Sequence, residues 1–258
     1  MMALNPKIED WNGKRVWIIG ASTGIGAALA RALEARGAKV AGSARNATVL
    51  RESLGAGENF LALPADVTKH ASLQAAHDAV VAAWGGIDVL VYMAGTYKGV
   101  RAWKLGIGAA RTEFDTNVLG AFDAIAITLP KMLERKRGAI VIVSSVAGYR
   151  GLPNSLIYSA TKAALINMAE TLYLDLAAKG VGVHLVNPGF VETPLTEQNK
   201  FKMPALIKAE EAATEIVKGL ARGEFETHFP KRFTVWMKGL RHLPHGLYFK
   251  AVKSFTGL

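Results

Sequence analysis

The chain has 258 residues, half of them hydrophobic, with no cysteine and a formal net charge of +10. That apolar content supports a sizeable core and excludes a disordered chain, while the missing cysteine excludes disulfides, thiol nucleophiles and thiolate metal sites. No run approaches the ~18–20 apolar residues of a membrane span, and the charged opening MMALNPKIEDWNGK lacks the apolar segment of a secretory signal, so a soluble cytoplasmic protein is expected.

In chain order, residues 15–19 read as a buried strand closed by Gly20, and residues 24–36 as a helix stopped at Gly37. Strands follow at 39–42 and 60–63, then a helix at 71–84 ending on Gly85 and Gly86, and a strand at 88–92. A long amphipathic helix is predicted over 111–136, a strand over 139–143, a helix over 155–179 and a strand over 181–186. A helix at 210–222 and a short strand at 224–229 complete the alternation. Such βαβ alternation predicts a doubly wound, mainly parallel sheet of about seven strands, with ligands at the strand carboxyl ends.

No linker divides the chain, so one domain is expected: residues 1–229, with residues 230–258 as a helical extension of it. In that extension Phe233, Trp236, Leu240, Leu243 and Leu247 recur at spacings of three and four, broken at Pro244. From Thr227 onward there are six basic residues, Lys231, Arg232, Lys238, Arg241, Lys250 and Lys253, and no acid. The pattern suits an amphipathic helix pair. Packing on a second subunit or on a lid is the leading expectation, and peripheral contact with an anionic membrane is the alternative. Nucleic acid is not expected, because no recognition motif accompanies the charge.

Gly20-Ala-Ser22-Thr23-Gly24-Ile25-Gly26 follows the first strand and opens the first helix. Glycines there permit a tight turn and close approach of a pyrophosphate to the helix amides. The strand–turn–helix setting points to a dinucleotide. Arg45, just past the second strand, offers a guanidinium suited to a phosphate, or is an ordinary solvated side chain.

Tyr158-Ser-Ala-Thr-Lys162 places a phenol and an ammonium one helical turn apart. A nearby cation lowers a phenol's pKa, fitting it for proton transfer at a carbonyl or alcohol oxygen. Ser145, just past a buried strand, can hydrogen-bond that oxygen as charge develops. Ser144 beside it is the lesser candidate, suited to satisfying backbone groups.

In this order the motifs resemble those of the short-chain dehydrogenase/reductase family, over about residues 12–229. The resemblance implies a Rossmann-like domain and hydride transfer between a nicotinamide cofactor and a carbonyl or alcohol. Asn117, Ser145, Tyr158 and Lys162 would form the catalytic group, Asn117 holding a helix distortion and a water that links Lys162 to solvent. Ala44 stands where NAD-specific members carry Asp, so with Arg45 the implied cofactor is NADP(H). Asp66 and Val67 would frame the adenine, and Ala94 and Gly95 would let the cofactor approach. Pro188, Gly189, Val191 and Thr193 would cover the nicotinamide, Thr193 binding its carboxamide.

The sequence departs from the family's usual pattern at Ile19, which precedes the glycine turn in place of Thr, and at Tyr92 and Met93, where Asn side chains usually support the central strands. Leu195, Phe201, Met203, Leu206 and Ile207, with Tyr149, Leu152 and Phe190, either line an apolar pocket or form the core of a helix pair. A bulky apolar ketone or aldehyde, lipid-like or steroid-like, is the expected substrate, with reduction the expected direction. A homodimer or homotetramer is expected from the small residues Ala160, Ala163 and Ala164 on the Tyr158 helix. A nucleotide-sugar epimerase or dehydratase of the same fold and a non-catalytic NADPH-sensing protein are the alternatives. No metal site is expected.

Overall fold

A computed structural model describes residues 3–55, 57–199 and 201–256. Its sheet comprises β1 (Arg15–Ile19), β2 (Lys39–Ser43), β3 (Phe60–Ala62), β4 (Val89–Tyr92), β5 (Gly138–Val143), β6 (Val181–Pro188) and β7 (Glu226–Phe229). The strands run in the spatial order β3-β2-β1-β4-β5-β6-β7, all parallel. The order reverses between β1 and β4, which opens a crevice at their carboxyl ends.

Both faces of the sheet are covered. Trp17 and Ile19 of β1 enter one core and Val16 and Ile18 the other. The first core receives α3 (His70–Trp84), α5 (Gly120–Glu134) and α6 (Leu156–Leu176). The second receives α1 (Gly24–Glu34), α2 (Ala47–Leu54) and α7 (Ala209–Ala221). Burial on both sides explains why the central strands β1, β4 and β5 read as continuous apolar runs rather than as alternation.

Two expectations are corrected here. Residues 47–54 form a helix that the strand–helix reading omitted; Asn46 caps it, its side chain accepting from the Thr48 and Val49 amides at 3.1 Å. The single helix expected over 111–136 begins earlier, as α4 (Ile107–Phe114), and passes through a π-helical turn (Asp115–Leu119) before α5.

The C-terminal extension folds as α8 (Lys231–Arg241) and α9 (His245–Thr256), with Pro244 between them, and it packs on its own domain. The Arg150 guanidinium donates to the Leu243 carbonyl at 2.6 Å and stacks 4.0 Å from the Tyr248 ring centroid. Tyr248 in turn donates to the Gly151 carbonyl at 2.7 Å. Lys238 reaches Glu226 at 2.6 Å. Tyr149, expected either at an apolar pocket or in a core, is buried, and its hydroxyl donates to the other Glu226 oxygen at 2.5 Å. A half-buried carboxylate needs such donors, and they hold Glu226 below the usual carboxylate range against its burial.

Candidate active site

The crevice at the β1/β4 switch is lined on one side by Gly20, Thr23, Gly24, Ile25 and Gly26, and at its floor by Ala94 and Gly95. Ser145, Tyr158 and Lys162 form its far wall. Pro188, Gly189, Val191 and Thr193 complete its lining. Fourteen sequence-predicted residues are thus brought together. Ser22, Arg45, Asp66, Val67 and Asn117 lie outside its lining.

The glycines are required by contact. A Cβ on Gly20, which has φ 100°, would meet the Ala94 nitrogen at 2.7 Å, and one on Gly26 would overlap the Gly20 carbonyl. A Cβ on Gly24 would strike the Thr193 methyl at 2.7 Å. The first turn of α1 has no acidic residue, and Thr23 makes no side-chain cap. Its free amides therefore face the crevice, an arrangement that fits a phosphate group.

At the rim, Arg45 is exposed and Ala44 is half-buried beside it. Asp66 does not extend into the crevice. Its carboxylate accepts from the Thr68 hydroxyl at 2.8 Å and the Thr68 amide at 3.1 Å, which holds its pKa below the usual range.

The catalytic wall is assembled from three elements. Strand β5 delivers Ser144 and Ser145 at its carboxyl end. Ser144 donates to the Lys162 carbonyl at 2.7 Å, the backbone task expected of it. The Ser145 oxygen accepts from the Ala147 amide at 3.1 Å. Helix α6 supplies Tyr158 and Lys162, with the ammonium 5.5 Å from the phenol ring centroid and donating to the Val143 carbonyl at 3.0 Å. Burial pulls Lys162 down to about 8.

The expected lowering of Tyr158 is not present in this geometry. Burial pushes the phenol up to about 12; the Ser145 hydroxyl opposes that, while Tyr97 and Glu113 add to it. Desolvation of the phenolate therefore outweighs the Ser145 hydrogen bond.

The π turn supplies the fourth member. Asn117 is fully buried; its oxygen accepts from the Thr96 amide at 2.8 Å and its nitrogen donates to the Thr96 carbonyl at 3.0 Å. A second donation reaches the Thr161 hydroxyl at 3.0 Å, and Thr161 donates to the Tyr158 carbonyl at 2.8 Å. The expected helix distortion is thus present. Tyr92, a departure from the usual Asn, donates to the Thr116 carbonyl within the turn at 2.5 Å.

Three residues near the site escaped the sequence reading. Tyr97 stacks on Tyr158 with centroids 4.9 Å apart. Thr161 lies inside the Tyr158–Lys162 motif and could have been noticed there. Glu113 is buried on α4, one oxygen accepting from the Lys98 amide at 3.1 Å and the other unpartnered. Burial raises it above the ordinary carboxylate range. Among the described residues no group of three or more His, Cys, Asp or Glu could hold a metal ion.

Residues 14–203 match the family model described as short chain dehydrogenase. The chain belongs to the short-chain dehydrogenase/reductase family. It is 38% identical over 240 residues to an uncharacterized oxidoreductase of Myxococcus xanthus, covering 92% of this chain and 95% of that one. It is 33% identical over 190 residues to the 3-oxoacyl-[acyl-carrier-protein] reductase FabG of Escherichia coli, covering 72% and 77%. Among solved structures, a short-chain dehydrogenase/reductase from Burkholderia phymatum in complex with NAD superposes with a TM-score of 0.83 at 25% identity, covering 90% of this chain and 94% of that one. An actinorhodin polyketide ketoreductase variant with NADPH superposes at 0.76 and 28% identity, covering 83% and 95%. The protein is therefore a Rossmann-like oxidoreductase that uses a nicotinamide dinucleotide.

Proposed function

We propose that this short-chain dehydrogenase/reductase reduces a bulky apolar ketone or aldehyde with NADPH. The observation that carries the cofactor preference is the end of β2. No carboxylate stands there to repel a 2′-phosphate; Ala44 occupies the position and the exposed Arg45 guanidinium follows it. Gly20, Thr23, Gly24, Ile25 and Gly26, with the free α1 amides, would hold the pyrophosphate, and Ser22 would assist at the rim. Asp66 and Val67 would border the adenine. Ala94 and Gly95 leave room for the nucleotide, and Pro188, Gly189, Val191 and Thr193 would hold the nicotinamide end.

When bound, the dihydronicotinamide supplies a hydride to the carbonyl carbon. Tyr158 donates its proton to the carbonyl oxygen, so the C=O π bond becomes a C–H and an O–H bond. Ser145 hydrogen-bonds that oxygen as negative charge grows on it. Lys162 stabilises the resulting phenolate, and its pKa near 8 lets it release and regain a proton close to neutrality. Asn117 fixes the Tyr158 helix against the β4 loop through Thr161 and Thr96. An apolar substrate is supported by Leu195 in the crevice lining and by the aromatic row Phe201–Phe190–Phe233 beside it, with centroids 5.6 and 5.4 Å apart.

No helix among the described residues is long and apolar enough to cross a membrane, and a cytoplasmic location is part of this reading. A homodimer or homotetramer is supported by the exposed Ile107, Leu119 and Phe122 on the α4–α5 face and by exposed Ala160 and Ala163 on α6. The deciding experiment is reduction of ketones and aldehydes of graded chain length with both nucleotides. NADPH should give the higher kcat/KM, and Arg45→Glu should weaken NADPH far more than NADH. Equal losses for both nucleotides would overturn the cofactor assignment.

A further inference from the structure

The six basic residues that follow Thr227 are not equivalent in the fold. Lys238 is paired with Glu226 at 2.6 Å, and Arg241 lies 4.0 Å from Glu170. The other four, Lys231, Arg232, Lys250 and Lys253, are exposed and form no ion pair among the described residues. Helix α8 is split lengthwise. Phe233, Thr234, Met237 and Leu240 turn toward the protein, while Lys231, Arg232, Val235, Trp236 and Gly239 turn outward at spacings of three and four. Trp236 is 74% exposed although the chain has a large core available for it. On α9, exposed Phe249 neighbours Lys250 and is followed by Lys253 and Phe255.

A large exposed indole set among unpaired cations, with no acid on the same helices, has a specific physical complement. Lys and Arg are attracted to anionic headgroups, and an indole gains most at the boundary where its ring is apolar and its N–H stays wet. A second copy of this face is disfavoured, because it would bring eight unpaired cations together with no acid of either α8 or α9 between them. The inward side of α8 is already packed on the domain through Phe233, Met237 and Leu240, so only the outward face is free to dock.

We propose that the outward face of α8 and α9 docks on an anionic lipid bilayer, with Lys231, Arg232, Lys250 and Lys253 over the headgroups and Trp236 in the interface. The inward side of the same α8 carries Phe233, whose ring lies 5.4 Å from Phe190 beside the crevice. Docking therefore places the apolar wall of the crevice one helix diameter, about 10 Å, from the lipid. The docking itself stands independently of the carbonyl reductase reading.

The test is co-sedimentation of the full chain with phosphatidylcholine vesicles, with and without phosphatidylglycerol, at low and high salt. Binding should require phosphatidylglycerol and fall as salt rises. Arg232→Gln and Lys250→Gln should each weaken it about fivefold, the worth of one cation near an anionic surface. Trp236→Ala should lose the vesicle-induced blue shift of tryptophan emission. Near-UV circular dichroism matching the parent establishes that each variant is folded, whatever its activity. Equal binding to neutral vesicles, or none at low salt, overturns the proposal. So does a Trp236→Ala variant that dissociates an oligomer while binding vesicles normally, which would make this face a subunit contact. Salt-sensitive retention on an oligonucleotide without vesicle binding also overturns it, in favour of nucleic acid.

Discussion

The Asn117 amide nitrogen and the Thr161 hydroxyl lie 3.0 Å apart, both fully buried, and this contact ties the π turn to the helix that carries Tyr158. Removing the amide strands the Thr96 N–H and C=O as well. Asn117→Ala is expected to cost about 1–3 kcal/mol for each buried group left unpaired, read from urea denaturation. Thr161→Ser should retain kcat, whereas Thr161→Val should lower kcat more than it raises KM. Equal unfolding midpoints for Asn117→Ala and the parent would show that the link carries no energy.

Tyr158→Phe keeps the ring that stacks on Tyr97 and deletes the proton. Carbonyl reduction should fall by about 10²–10⁴, the usual worth of a positioned acid, while NADPH still quenches protein fluorescence at the parent's affinity. Undiminished turnover would remove the phenol from the mechanism.

The pH dependence separates phenol from lysine. Tyr158 is pushed up to about 12 and stays protonated across the working range, whereas Lys162 is pulled down to about 8. The reductive kcat/KM should therefore fall as pH rises through about 8, as the ammonium loses its charge. Lys162→Arg should carry that limb to higher pH, since a guanidinium keeps its proton. A limb that stays in place in the variant would assign it to another group.

A second titration concerns stability. His184 on β6 is buried with Nδ1 2.8 Å from the Glu224 carbonyl, and burial holds it at about 4 against an ordinary value of 6.5. As pH drops below 6.5 the unfolded chain takes up a proton that the folded chain refuses until about 4. His184 should contribute a fall in stability of about 3 kcal/mol across that window, and His228, also held at about 4 by burial, adds to it. His184→Gln should make the slope shallower without abolishing it, measured as thermal midpoints between the two pH values; an unchanged slope would remove His184 from the titration.

The central strands β1, β4 and β5 were legible because each is a short run of mostly β-branched apolar residues buried on both faces, which leaves no alternation to misread. The crevice residues were legible because the turn from Gly20 to Gly26 and the Tyr158–Lys162 spacing are local patterns. The π turn was announced only by the resemblance that put a helix distortion at Asn117; the stretch 111–136 by itself read as one continuous helix. Helix α2 carries only two buried residues, Leu50 and Leu54, too few for a period to show; its cap Asn46 was the available signal. The Tyr97 stack and the Glu113 carboxylate depend on how the loop after β4 crosses α4 and α6, which no local spacing encodes. Glu226 likewise looks like an ordinary strand-edge acid until Tyr149, Asn187 and Lys238 converge on it.

The Tyr92 hydroxyl occupies the space that a Cβ on Gly120 would need, at 2.5 Å, with the Val67 carbonyl 2.9 Å away on the other side. Replacing Tyr92 alone would not admit a side chain at 120, because the Val67 carbonyl would still stand 2.9 Å from such a Cβ; main chain that no substitution removes therefore confines that position to glycine.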